Sequence, residues 1–114
     1  MPPTIPARAR AGDYARYVSL ANLTRKGDGS EPEFVPLTPA NEFIAIRPQG
    51  GSQILDRANL VTLEMRFRPD VTIDTRVQYD DPDRGYVREF FIKGVLDVND
   101  DHVVLICAAE EIIP

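Results

Sequence analysis

The sequence predicts an all-β fold: a small antiparallel β-barrel or sandwich of about six strands, with long loops and an extended N-terminal arm. Three observations predict it. Residues 59–68 alternate polar and apolar side chains without a break, as a strand with one buried face requires. Turn-forming residues recur along the chain at roughly ten-residue spacing. No segment repeats apolar residues at helical spacing. A chain of 114 residues has the length of one domain, and it divides into an arm over 1–11 and a barrel over 12–114.

The elements follow in order. Residues 1–6 hold three prolines, which suit neither helix nor ladder and read as extended chain. From Asp13 a strand begins, with Tyr14, Arg16, Val18, Leu20 and Asn22 on one face and Ala15, Tyr17, Ser19, Ala21 and Leu23 on the other. Residues 24–41 carry glycines and then Pro32, Pro36 and Pro39, predicting a long loop with at most a short strand at 33–35. Residues 43–47 predict a strand ended by Pro48. Gln49, Gly50, Gly51, Ser52 and Gln53 make a flexible tip, with Ile54, Leu55 and Asp56 just beyond.

In 59–68, Val61, Leu63, Met65 and Phe67 form the apolar face, and Leu60, Thr62, Glu64, Arg66 and Arg68 the wet one. Pro69-Asp70 turns the chain towards a strand at 76–79. Residues 80–85 combine Asp, Pro and Gly as a turn in which Asp side chains bond nearby amides. Residues 86–93 form a strand, extended by Gly94, Val95, Leu96 and Val98, and 99–101 a turn. Residues 103–108 are continuously apolar, predicting a strand buried on both faces. The predicted core is Val18, Leu20, Ile44, Ile46, Val61, Leu63, Met65, Phe67, Val77, Ile92, Val104 and Ile106.

Composition narrows the function. The longest apolar run, 103–109, falls far short of the roughly 18 residues of a membrane helix, and the first residues lack the apolar stretch of a secretory signal. A single cysteine, Cys107, excludes an internal disulfide, and a single histidine, His102, excludes a His-paired zinc site. Net charge is −5, unevenly spread: +3 over residues 1–30, −8 over the rest. An acidic body is a poor footprint for gripping DNA and suits a surface that DNA passes without adhering.

No constellation for catalysis emerges. Cys107 lies in the most apolar strand, where a thiol is inert, and His102 is offset to the opposite face. The aspartates at 80, 81 and 83, or at 97, 100 and 101, lack the spacing and closing Glu of a calcium loop and read as solvated turns. Gly50-Gly51-Ser52 has no following Lys and matches no nucleotide loop. An oligonucleotide-binding barrel with Arg66, Arg68, Arg88 and Lys93 on its face is the alternative from another class. It is weakened because Phe67 points away from its flanking arginines. No metal or cofactor site is predicted, and the chain reads as a binding or structural module rather than an enzyme.

The order of segments carries a resemblance. Residues 12–20, with Val18 and Leu20, are similar to the opening strand of the phage head–tail joining (head-closure, or stopper) family, although Tyr14 stands where that family usually has Leu. Phe43-Ile44-Ala45-Ile46-Arg47-Pro48 resembles its second core strand. Residues 62–71 resemble its alternating strand ending in Arg-aromatic-Arg-Pro, here Arg66-Phe67-Arg68-Pro69. Arg76-Val77-Gln78-Tyr79, then Phe90-Phe91-Ile92, then the aliphatic stretch 102–111 continue the pattern.

The resemblance spans residues 12–111. It implies a small β-barrel that forms a homo-oligomeric ring of twelvefold symmetry at the neck of a virion or a phage-like gene-transfer particle, assembled in the bacterial cytoplasm. The ring would sit under a portal or adaptor protein, hold packaged DNA without sequence-specific contact and dock tail-terminator or tail-tube proteins, with no membrane involved. An adaptor or tail-completion protein at the same junction is the nearest alternative. Residues 49–56 are the candidate channel loop. Arg8, Arg10, Arg25, Lys26, Phe34, Arg66 and Arg68 are candidate interface residues.

Overall fold

The computed structural model describes residues 11–25, 31–48 and 59–112. Six strands, β1 (Arg16–Thr24), β2 (Glu33–Pro48), β3 (Leu60–Arg66), β4 (Thr75–Asp81), β5 (Tyr86–Asp97) and β6 (Val104–Ile112), close into a barrel in the order β1-β2-β3-β6-β5-β4. All neighbouring pairs are antiparallel. Among the described residues there is no α-helix, only short 3₁₀ turns at Ala11–Asp13 and Val98–Asp100.

Alternation builds the interior. Val18 and Leu20 of β1, Ile44 of β2, Val61, Leu63 and Met65 of β3, Val77 and Tyr79 of β4, Phe90 and Ile92 of β5, and Leu105, Cys107 and Ala109 of β6 form one buried cluster. Ile46 and Phe67 lie at its margin, half-buried. Val104 and Ile106, expected in this core, instead join Val98 in a small separate cluster. Their side chains leave β6 on the face opposite to Leu105 and Cys107, so they pack outside the barrel wall. The strand expected to be buried on both faces is buried so from Val104 to Cys107 only, and Ala108 is exposed.

The two ends of the barrel are closed differently. At one, the link from β3 to β4 crosses over: Phe67 donates its amide to the Val103 carbonyl (3.0 Å), Asn22 Nδ2 bonds the Asp70 carbonyl (2.8 Å), and Val71 is buried beneath. At the other, the inward residues are charged. Arg88 Nε and a terminal nitrogen each lie 2.8 Å from the two Glu111 oxygens, and Arg88 also reaches Asp81 at 3.3 Å. The Asp81 carboxylate in turn accepts the Asp83 amide at 2.9 Å, the side-chain-to-backbone bond expected in the 80–85 turn. Gly85 closes that turn at φ +74, a conformation glycine takes without strain.

The largest departure from the sequence reading is β2. The long loop expected over 24–41 contains the first half of a strand that starts at Glu33. Residues 33–36 pair with 21–24 of β1, and 41–44 with 16–19, so residues 37–40 bulge out opposite Leu20 alone. The bulge absorbs Pro39, whose peptide bond to Thr38 is cis, and lets Leu37 fold onto the core. Proline is admitted at bulges and open edges, where no ladder donor is required of it. Here β2 pairs with β3 only through residues 45–48, leaving its earlier part unpaired on that side among the described residues.

Candidate functional site

The outer wall of the barrel holds the groups available for recognition. Tyr17 of β1 and Phe43 of β2 are register partners, and their rings meet at 4.6 Å while each stays more than half exposed. A second aromatic station links three strands. Phe34 of β2 lies 6.0 Å from Phe91 of β5, and the Arg76 guanidinium of β4 stands 4.1 Å from the Phe34 centroid. Phe34, expected at an interface, is therefore half-buried and already stacked within the chain.

The wet face expected for β3 is corrected at two positions. Glu64 is fully buried: the Tyr14 hydroxyl donates to one carboxylate oxygen at 2.6 Å, and Arg47 reaches the other at 3.2 Å. Tyr14, expected in the first strand, precedes β1 and lies over β3 to make this bond. A buried carboxylate is tolerable only with such partners.

Arg68 is the second. It is buried, held to Asp70 by two hydrogen bonds of 2.9 and 3.1 Å, with Glu42 at 3.8 Å. Its charge is thus paired within the chain, at the barrel rim. Arg66 stays exposed on β3, and Arg25 is exposed just beyond β1. Arg8, Arg10, Lys26 and the channel-loop residues 49–56 lie outside the described residues. Of the alternative nucleic-acid face, Arg68 and Arg88 are engaged in internal ion pairs, leaving Arg66 and the exposed Lys93.

His102 does not share a strand with Cys107; it precedes β6, exposed, with its ring 4.6 Å from Phe67 and its Nδ1 against the Asp97 carboxylate. Asp97, Asp100 and His102 bring three donor atoms within 4.8 Å of one another on this turn. Three donors fall short of the roughly six to eight oxygens calcium takes. The turn is built from left-handed backbone at Asn99, Asp100 and His102, and the His102 amide also bonds Asp97 at 3.0 Å.

Cys107 is fully buried, and burial pushes its thiol up to about 12. A thiol reagent at pH 8 is expected to leave the native protein unmodified and to label Cys107 completely once denaturant unfolds the barrel. A stoichiometric thiol count taken with and without denaturant checks this.

One concave feature was not legible in the sequence. An open apolar groove of about 280 Å³ runs over the outer face of β3, β6 and β5, lined by Thr62, Gly94, Val95, Leu96, Ile106 and Ala108. The register explains it. Ile92 pairs with Ala109 and Gly94 with Ala108, so Lys93 is an extra residue that bulges β5. Gly94, Ala108 and Thr62 then share a row, because Ala108 pairs with both Gly94 and Thr62. Small side chains form the floor, and Ile106 and Leu96 rise beside it.

No family model matches this chain, and no curated protein matches it.

Proposed function

We propose that the chain is a structural, non-enzymatic component of a phage-type head–tail junction. In this reading it is a head-closure subunit that assembles into a ring below the portal or adaptor, retains packaged DNA and presents a docking surface to the tail. One observation carries the reading. The segments on which the resemblance rests, read in order, fall on the successive strands β1 to β6 of a single closed antiparallel barrel.

The physics is consistent with the role. A ring needs a head-to-tail interface that closes by rotation, and a modest contact per subunit suffices when many copies act together. The exposed Tyr17–Phe43 pair and Arg66 are the side chains best suited to such contacts. The acidic body gives a channel wall to which DNA does not adhere. Residues 49–56 are proposed to narrow the channel, and stoichiometry is proposed to follow the portal's twelvefold symmetry.

Particles assembled without this protein are expected to lose their DNA and to lack tails. Full DNA retention with normal tail joining would overturn the proposal. Deleting residues 50–56 should release DNA while sparing the ring, as seen by electron microscopy of the particle neck. A filter-binding titration with single-stranded oligonucleotide should show no salt-sensitive micromolar binding; such binding would favour the nucleic-acid reading.

A further inference from the structure

We propose that the Tyr17–Phe43 pair of one copy seats in the groove over β3, β6 and β5 of the next, joining copies of this chain head to tail. The inference deepens the connector reading by naming the contact between neighbours. It rests on that reading only for closure of the copies into a ring.

Placement is the first argument. In the closed order β1-β2-β3-β6-β5-β4, the aromatic pair stands on the β1–β2 seam and the groove centres on the β6–β5 seam. These two seams lie three strand spacings apart either way round the wall, the farthest that two seams of this barrel can be. A molecule therefore cannot fill its own groove with its own pair. Nor can a two-fold contact use both, since both would have to face the same neighbour. The pair of one copy reaches only the groove of a further copy, and each copy so joined keeps one free pair and one free groove. That is a heterologous contact, the kind that closes into a ring by rotation.

Chemistry is the second. Tyr17 and Phe43 are 54% and 55% exposed, with rings 4.6 Å apart, and exposed aromatics of this kind anchor interface centres. The groove floor is the row of Gly94, Ala108 and Thr62, and a side chain added at Gly94 would meet nothing within 4 Å, which leaves room for a flat ring. Leu96 and Ile106 supply an apolar flank. Charge agrees with the placement. Arg16, beside Tyr17, is exposed, bonds the Tyr79 hydroxyl at 3.3 Å and meets no carboxylate among the described residues. Glu110, two residues beyond Ala108 on the same face of β6, is half-buried and meets no cation among the described residues. Each copy thus carries an uncompensated cation next to its pair and an uncompensated carboxylate next to its groove.

Area is the third argument. Fully buried aromatic side chains remove about 150–250 Å² each, so the half-exposed pair has roughly 200 Å² left to bury. A stable interface takes about 800 Å² from each partner. Two free copies therefore meet only weakly, and the contact holds where many copies are presented side by side.

The test mixes two full-length chains at millimolar concentration. One carries a nitroxide on Ala15→Cys, exposed two residues before Tyr17, Cys107 being too buried to label. The other is isotope-labelled and free of nitroxide. Amide resonances of Gly94 and Ala108 in the isotope-labelled copy are expected to lose most of their intensity and to regain it when the nitroxide is reduced. Tyr17→Ser with Phe43→Ser in the spin-labelled copy should abolish the loss, and so should Gly94→Leu in the isotope-labelled copy. Ala108→Leu is the second groove-filling variant should Gly94→Leu disturb the fold. Arg16→Glu in the first copy should weaken the loss, and Glu110→Arg in the second should restore it. Undiminished Gly94 and Ala108 signals would overturn the proposal, as would a loss that survives removal of both rings. A loss confined to Tyr17 and Phe43 would place pair against pair across a two-fold axis and overturn it too. The readout is taken on purified chains, so it fails separately from the particle phenotypes that test the connector role.

Discussion

Replacing Arg88 with alanine is expected to lower the free energy of unfolding by about 3–5 kcal/mol, because it strands the buried Glu111 carboxylate without a counter-charge and leaves Asp81 only the exposed Arg84 at 3.6 Å. Glu111 loses both of its 2.8 Å bonds and Asp81 its 3.3 Å contact, at a barrel end where Asp81 and Glu111 are both buried. The loss comes from breaking the set, not from the intrinsic worth of the ions. Arg88→Met combined with Glu111→Leu should therefore recover much of it. Urea unfolding of the single and double variants measures both. A single variant as stable as the parent would mean that water reaches the triad freely.

The same triad sets an acid limit. Burial alone would raise the Asp81 carboxyl, but the Asp83 amide and Arg88, with the Arg84 amide, hold it below its ordinary value of 3.8. A carboxyl depressed in the folded state adds stability that is complete above its unfolded value and lost as pH falls through its folded one. Glu111 correspondingly holds the Arg88 guanidinium protonated, its proton bound more tightly than usual. The melting temperature is thus expected to be insensitive to Asp81 near neutrality and to fall below pH 3.8. Asp81→Asn should flatten this part of the acid limb, at some cost in stability at pH 7.

Replacing Phe90 with alanine is expected to cost about 3–5 kcal/mol, since it opens a cavity where the barrel cannot collapse. Among the described residues, Phe90 is the largest fully buried side chain. Its neighbours come from strands on both sides, as Val77 and Glu111 are its register partners. Whole domains are stable by only about 5–15 kcal/mol, so the change removes a large share of the total. The Arg88 guanidinium lies 5.0 Å from the Phe90 ring centroid, so the two positions are coupled. Phe90→Ala together with Arg88→Ala should cost less than the sum of the singles. Strict additivity in denaturant titrations would argue that the cation and the ring act separately.

What could be read from the sequence was local. The period-two pattern of β3 needs no partner to be seen, and Val61, Leu63 and Met65 are buried as that pattern requires. The Asp- and Gly-rich 80–85 turn is likewise written in neighbouring residues. What could not be read depends on distant pairings. Glu64 is buried because Tyr14, fifty positions earlier, lies over it, and no window on β3 contains that information. Arg88 looks like a surface cation until Glu111 is placed beside it. The first half of β2 is hidden by its prolines, since proline argues against a strand unless a bulge opposite Leu20 is known in advance. The groove required knowing that Gly94, Ala108 and Thr62 share a row, which is a fact of register alone.

The barrel is not equally sewn all round. Among the described residues, the β1–β4 ladder covers only 19–22 and 75–78, and the β2–β3 ladder only 45–48 and 61–64. The ladders within β3, β6, β5 and β4 are longer. The molecule therefore has a mechanical grain. Under tension applied through its N-terminal half, the β1–β2 hairpin is expected to peel away as one leaf, with the four-stranded remainder keeping its sheet and the ion triad. A load directed along the other strands meets no comparable line of weakness.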